Sequence, residues 1–249
     1  MNTDRAWESY GHDNPYFGVL ADERFRGKTL SDTALNEFFA SGNADVGRVL
    51  MNIDRHLTAP PRIKALDFGC GVGRLAIPLA QHFTTVVGVD ISPSMLRETT
   101  VNAQRLNVGN LRLCERLSEL AAERETFSFV NTLIVLQHIP EERGLAFIEQ
   151  LLELLSKGGC GAIHLTYARE QYRQTLGAKP LSSRVIEALR RPVSGLHRKF
   201  SGRDPEMQMN SYQMNKVLFL LQSNGITEYF SEFTNHSGYL GITLYFRKP

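Results

Sequence analysis

The stretch Ala65-Leu66-Asp67-Phe68-Gly69-Cys70-Gly71-Val72-Gly73 constrains the fold more than any other part of this 249-residue chain. Residues 63–68 are apolar enough to read as a buried strand. Glycines at alternate positions then turn the chain, and a helix is expected to begin near Gly73. A strand entering a helix through such a turn leaves free N–H groups and a positive dipole end at the edge of a sheet. That arrangement suits a phosphate or a carboxylate.

The pattern is not that of a dinucleotide site, because Arg74 stands where a final glycine would be needed. Asp67 also places a carboxylate just before the turn, which repels a pyrophosphate and helps to hold an ammonium group. The expected ligand therefore carries a carboxylate and an ammonium together. A second apolar run, 86–90, ends in Asp90, 17 residues after Gly73. An acid at the tip of the second strand accepts hydrogen bonds from ribose hydroxyls. Together the two signals describe an amino acid joined to a nucleoside; separately they read as a tight turn and a helix-capping Asp.

The rest of the chain alternates in the same way. Residues 1–61 form an expected N-terminal helical cap, with Ser31 as an N-cap, a second apolar stripe over 46–57 and a stop at Pro60-Pro61. Residues 62–167 form the α/β core, with strands expected at 63–68, 86–90, 111–114, 127–136 and 160–167. The first crossover helix is expected to reach His82, and Ser92-Pro93 opens the next. A helix over 140–155 is ended by Lys157-Gly158-Gly159. Repeated units of this kind imply a parallel sheet with helices on both faces. Residues 168–207 interrupt the pattern, with one helix expected over 182–191. Residues 208–249 add a helix over 211–224 and strands over 226–233 and 239–246.

These motifs resemble the class I S-adenosylmethionine-dependent methyltransferases. Leu66 through Gly73 is similar to the family's first motif, and Val86 through Asp90 with Ser92 and Met95 to its second. Residues 127–139, ending Gln137-His138-Ile139, resemble its fourth strand and loop, and Lys157-Gly158-Gly159 its turn before the fifth. The resemblance covers about 62–166 and 208–249. It implies an α/β, Rossmann-like methyltransferase fold: a seven-stranded, mostly parallel sheet in the order 3-2-1-4-5-7-6, with a C-terminal antiparallel hairpin and helices on both faces. It implies S-adenosyl-L-methionine as cofactor. Gly69, Gly71 and Gly73 would wrap the methionyl part, Cys70 between them would belong to the cofactor site, and Asp67 would support the amino group. Asp90 would bind the ribose, Ile91 and Met95 would pack near the adenine, backbone groups near Leu117 would read it, and Leu133 would belong to the cofactor site. The third motif departs from the family pattern, since Cys114-Glu115-Arg116-Leu117 carries no Asp for the adenine amino group. The family's frequent Asp early in the fourth strand is Ser128 here.

For the chemistry, His138 is the candidate base, with capping or a bond to a backbone carbonyl as its alternative. Thr166 and Tyr167, at the tip of the fifth strand, are the candidate substrate contacts. His164 lies inside that strand and reads as core. Tyr10, Tyr16 and Phe17 either lid the cofactor or anchor the leading segment. Ser41-Gly42 is either a cofactor contact or a helix end. The Asn/Asp-Pro-Pro-Tyr signature of nucleobase-amino enzymes is missing after the fourth strand, and no acidic cluster with metal spacing is visible, so no metal is expected. The expected reaction is methyl transfer to an O or N atom of a small molecule or sugar chain. An RNA methyltransferase and a binding module without turnover remain the alternatives.

Composition adds less. Net charge is +2, hydrophobic residues make up 42%, and no apolar run has membrane-spanning length. The first residues lack the basic and apolar regions of a leader, and Cys70, Cys114 and Cys160 are widely spaced, so a cytoplasmic protein with reduced thiols is expected. Residues 168–205 hold nine Lys or Arg against three Asp or Glu. A cationic lid of this kind suits an acidic acceptor; a solvated basic face is the other reading. Few aromatics interleave with it, so nucleic acid is not the expected partner. If it is a lid, exchanging Arg190, Arg191, Arg198 and Lys199 together for Gln raises KM for an acidic acceptor and spares cofactor affinity. Steady-state kinetics should show the effect shrinking at high salt.

Overall fold

A computed structural model describes residues 3–177, 204–205 and 207–249. One seven-stranded sheet organises them, in the order β3-β2-β1-β4-β5-β7-β6. Its parallel part is β1 (Lys64–Phe68), β2 (Thr85–Val89), β3 (Leu111–Cys114), β4 (Phe127–Thr132) and β5 (Leu155–Arg169). The closing hairpin, β6 (Tyr229–His236) and β7 (Tyr239–Arg247), runs antiparallel, with β7 between β5 and β6. Ser237 and Gly238 turn it with positive φ angles of 54° and 85°, the twist that a two-residue hairpin requires. The expected α/β fold and strand order are both present.

Strands β1, β2 and β4 are buried along nearly their whole length because helices cover both faces. On one face lie α3 (Asp32–His56), α4 (Ala76–Leu79) and α5 (Pro93–Arg105). On the other, α6 (Leu117–Ala122), α7 (Glu141–Leu154) and α8 (Met214–Ser223) pack Leu120, Ile148, Leu151 and Val217 onto Leu66, Val130 and Ile163. Ser128 accepts from the Lys64 N–H and donates to the Lys64 carbonyl, a link between β4 and β1 that needs no carboxylate.

Several boundaries differ from expectation, each for a local reason. The 46–57 stripe belongs to the single 25-residue α3, capped by Ser31 and ending before Pro60-Pro61. Regular α4 is only four residues long, since Gly69, Gly71 and Gly73 all have positive φ and delay the helix. β4 stops at Thr132 because Ile134 takes a left-handed φ of 62°, unusual for a β-branched residue, and 136–138 form a 3-10 turn. Lys157-Gly158-Gly159 does not end α7. The helix stops at Leu154, β5 starts at Leu155, and 156–159 bulge between the Phe127–Leu155 and Phe129–Cys160 pairs. β5 also runs past Tyr167 to Arg169, and a 3-10 turn, Glu170–Thr175, follows. The helix expected at 182–191 and the cations Arg190, Arg191, Arg198 and Lys199 lie outside the described residues.

The leading segment folds as α1 (Thr3–Asp13), α2 (Pro15–Val19) and α3. Tyr10 donates to the Pro205 carbonyl at 2.6 Å, Tyr16 bonds Glu98 and Asn102, and Phe17 lies under the Arg26 guanidinium. These aromatics anchor the segment. Gly42 is not a helix end; it sits buried in the middle of α3, where a Cβ would lie 2.0 Å from the Arg74 carbonyl oxygen. Its missing side chain lets α3 press onto the glycine turn. Beside it Arg74, 3% exposed, donates to Asp45 at 2.8 Å and to Ser41 at 3.3 Å.

Gly42→Ala should therefore destabilise the fold by about 1–3 kcal/mol through overpacking. Gly47→Ala, in the same helix with nothing within 4 Å of the new Cβ, should stabilise it by up to about 1 kcal/mol. Urea denaturation of both variants checks the contrast.

Candidate functional site

The C-terminal ends of β1, β2, β3 and β4 open on one cavity of about 520 Å3. This is the edge at which a parallel sheet presents its helix-leading loops. The glycine turn forms its floor. Gly69, Cys70 and Gly71 line the cavity, whereas Gly73 faces inward against Ile77 and Thr99. The Cys70 thiol is buried, and burial keeps it protonated.

Two carboxylates flank the turn. Asp67 is paired in register with Asn131 across β1 and β4, and its Oδ1 accepts from the Asn131 amide at 2.8 Å. Its Oδ2 is buried with no hydrogen-bond partner. Burial pushes the Asp67 carboxyl up to about 6, against the Asn131 hydrogen bond and the nearby Arg74. Asp90, at the tip of β2, accepts the Gly71 N–H and the Ser92 N–H, both at 2.9 Å. Burial raises it to about 6 as well, with those two hydrogen bonds opposing. Ile91, Met95, Leu117 and Leu133 all line the same cavity, and the unusual Glu115-Arg116 segment after β3 joins them.

His138 lies on the wall near the tip of β4. Its Nδ1 is 2.8 Å from the Gln208 carbonyl, so Nδ1 carries the hydrogen. Its Nε2 accepts from the Gln137 amide at 3.2 Å, and Gln137 Oε1 accepts from the Thr166 hydroxyl at 3.0 Å. Burial lowers the His138 pKa to about 4, which keeps the ring neutral at pH 7. Of the two earlier readings of His138, the bond to a backbone carbonyl is present, and the ring also lines the cavity.

Thr166 and Tyr167 do not line the cavity. Thr166 is 1% exposed and stands behind Gln137, while Tyr167 packs toward Phe233 of β6. Because β5 continues to Arg169, these residues are short of the strand tip, and successive side chains on a strand point to opposite faces. His164 is fully buried against Thr234, as its place in the strand suggested. Among the described residues, no group of three or more His, Cys, Asp or Glu converges as metal ligands would, and no helix is long and apolar enough to cross a membrane.

The sequence reading missed the roof. Thr3, Asp4 and Trp7 of α1 line the cavity, as do Gly18 and Val19. The Trp7 ring meets His138 edge-on at 5.0 Å. Glu8 fixes α1 to the start of α5, accepting from Ser92 Oγ at 2.7 Å, Ser94 N–H at 3.1 Å and Ser94 Oγ at 2.6 Å. At the other end Asp4 pairs with Arg143 of α7. Arg143, Phe147 and Gln150 also line the cavity. Their i, i+4, i+7 spacing was a legible signal of a shared helix face.

Comparison with known proteins places this geometry. Residues 65–159 match the family model described as a methyltransferase domain. The magnesium-protoporphyrin O-methyltransferase of Synechocystis is 39% identical over 100 residues, covering 39% of this chain and 42% of that protein. A ubiquinone biosynthesis O-methyltransferase of Parvibaculum lavamentivorans is 30% identical over 97 residues, covering 39% and 38%. The matched segment thus spans about two fifths of the length of these curated relatives. Among solved structures, the Synechocystis magnesium protoporphyrin IX methyltransferase with bound S-adenosylmethionine superposes with a TM-score of 0.60 at 21% identity, over 100% of this chain and 98% of that one. The N-methyltransferase NodS of Bradyrhizobium japonicum, with S-adenosyl-L-homocysteine, gives 0.61 at 13% identity, over 100% of both chains. Residues 65–159 thus match a methyltransferase domain, and the described residues have the Rossmann-like fold of solved S-adenosylmethionine-dependent methyltransferases.

Proposed function

We propose that the cavity binds S-adenosylmethionine and that the chain transfers its methyl group to an oxygen or nitrogen atom of a small molecule or sugar chain. The observation that carries this reading is Asp67, a buried residue of the cavity lining with one carboxylate oxygen left without a hydrogen-bond partner. A buried carboxylate oxygen without a partner is costly, and an ammonium group beside it removes that cost. Arg74 brings a cation to the same end of the cavity for the cofactor's carboxylate. Each Asp90 oxygen accepts one backbone N–H and retains acceptor capacity for a ribose hydroxyl. Ile91, Met95, Leu117 and Leu133 supply the apolar walls for adenine.

The bound cofactor supplies a methyl group on a sulfonium that is already electrophilic. What remains for the protein is to hold the acceptor in line and to exclude water. Positioning of this kind supplies roughly 7–11 kcal/mol in well-oriented reactions. The roof formed by α1 and the neutral ring of His138 serve that purpose. With Nδ1–H tied to Gln208, Nε2 is the ring atom at which an acceptor's proton would be held once the acceptor displaces the Gln137 amide from it. Two curated relatives are named as O-methyltransferases and NodS as an N-methyltransferase, which supports O and N as the acceptor atoms.

Calorimetry with S-adenosylmethionine and S-adenosylhomocysteine tests the reading. Micromolar binding is expected; no heat at millimolar ligand would sink it. Asp90→Ala should weaken binding by about 1.5–3 kcal/mol, the range for hydrogen bonds to a charged group. Gly71→Val should abolish it, since Gly71 has a φ of 55° and its Cβ would lie 2.5 Å from Val19 Cγ2.

Binding should also release protons. Asp67 and Asp90 are raised to about 6 without ligand, and an ammonium group and ribose hydroxyls favour their ionised forms. Affinity should therefore fall as pH is lowered from 7.5 through 6. Titrations in buffers of different ionisation enthalpy measure the released protons, and uptake instead of release would contradict the assignment of both carboxylates.

A further inference from the structure

The pair formed by Arg143 and Asp4 sits where the acceptor end of the cavity meets its roof. Among the described residues, the arginines lining the cavity are Arg74, Arg116 and Arg143. Arg74 is nearly buried and held by Asp45 beside the glycine turn. Arg116 follows β3, on the far side of β2 and β1 from β4. Arg143 opens α7, directly after the loop that carries His138.

Its surroundings are flat and aromatic. The guanidinium lies over the Phe147 ring at 5.2 Å, and the Trp7 and His138 rings meet edge-on across the same wall. Its counter-charge comes from the roof: Arg143 donates to Asp4 Oδ1 at 2.6 Å and to Asp4 Oδ2 at 3.2 Å. Both side chains stay partly exposed, at 41% and 35%. An ion pair this accessible contributes little stability, so another carboxylate of the same fork geometry replaces one partner at low cost. The Asp4 carboxylate thus marks where an acceptor's own carboxylate would sit.

We infer that Arg143, set among Trp7, His138 and Phe147, is an anion subsite that recognises an acceptor bearing a carboxylate on a planar ring, and that Asp4 occupies the subsite until the acceptor displaces it. This inference rests on the methyltransferase reading above. It also gives the acceptor's negative charge a partner that does not depend on the basic insertion. The fork of Arg143 fits a carboxylate in a way a lysine would not. The aromatic wall fits the attached ring by stacking and edge contacts.

A matched pair of probes separates the contribution of charge from that of the ring: 3,4-dihydroxybenzoate and catechol, titrated calorimetrically into protein saturated with S-adenosylhomocysteine. The parent should bind the carboxylate-bearing probe at least tenfold tighter than catechol. Arg143→Gln should abolish that preference while binding S-adenosylhomocysteine within threefold of the parent and keeping its melting temperature. Asp4→Asn should keep or enlarge the preference, because it removes the internal competitor. The inference is overturned if the parent shows no preference, if Arg143→Gln retains it, or if Asp4→Asn loses it as Arg143→Gln does, which would make the pair only a strap holding α1. Failure of S-adenosylhomocysteine itself to bind would instead reject the methyltransferase reading on which the subsite depends.

Discussion

The hydrogen bond from the Gly71 N–H to the Asp90 carboxylate joins the two most constrained parts of the molecule. Gly71 lies in a turn that the backbone tolerates only with positive φ, and Asp90 ends the neighbouring strand. The same carboxylate accepts the Ser92 N–H, so one side chain fixes the first turn, the second strand tip and the start of α5 together. Ser92 in turn caps α5 through the Met95 N–H and donates to Glu8 of the roof. A perturbation of Asp90 therefore reaches the floor, the wall and the roof of the cavity through single hydrogen bonds.

Pressure on the turn from outside is equally direct. Gly42 lets α3 touch the backbone at Arg74, and the buried Arg74 returns an ion pair to the partly exposed Asp45 of the same helix. Removing one partner of such a pair strands a buried charge, which costs more than the pair contributes. The cap and the core thus share one packed boundary beside the glycine turn. On the opposite side, residues 208–212 close the wall behind His138 through Gln208, Asn210 and Tyr212, whose hydroxyl meets the Leu136 and Ile139 carbonyls.

The sheet order and the floor of the cavity were legible in the sequence because they rest on short, local signals. Three alternating glycines, an acid at each of two strand ends and repeated strand–helix units all lie within about a hundred residues. The roof was not legible, because Trp7 and Asp4 meet the cavity wall at His138 and Arg143, more than a hundred positions away. Thr166 and Tyr167 were misplaced because β5 runs two residues further than its apolar run suggested and because adjacent strand positions face opposite ways. Arg143 was passed over as one of several charges on an amphipathic helix; only the approach of α1 distinguishes it from a solvated side chain. Asn131 was likewise visible as a letter, but its pairing with Asp67 needed the register between β1 and β4.

The anchoring of the first helices has a consequence for how the molecule is assembled. Tyr10 is bonded to Pro205, 195 positions later, and Asp4 to Arg143, 139 positions later. Contacts that close loops of this length form late, because the chain entropy they remove is not offset until the intervening parts are in place. Glu8 ties α1 to the nearer α5, but the contacts of α1 with α7 and with Pro205 wait until those later parts of the chain are in place. The roof of the cavity is thus completed in two stages, first against α5 and then against α7 and the stretch around Pro205.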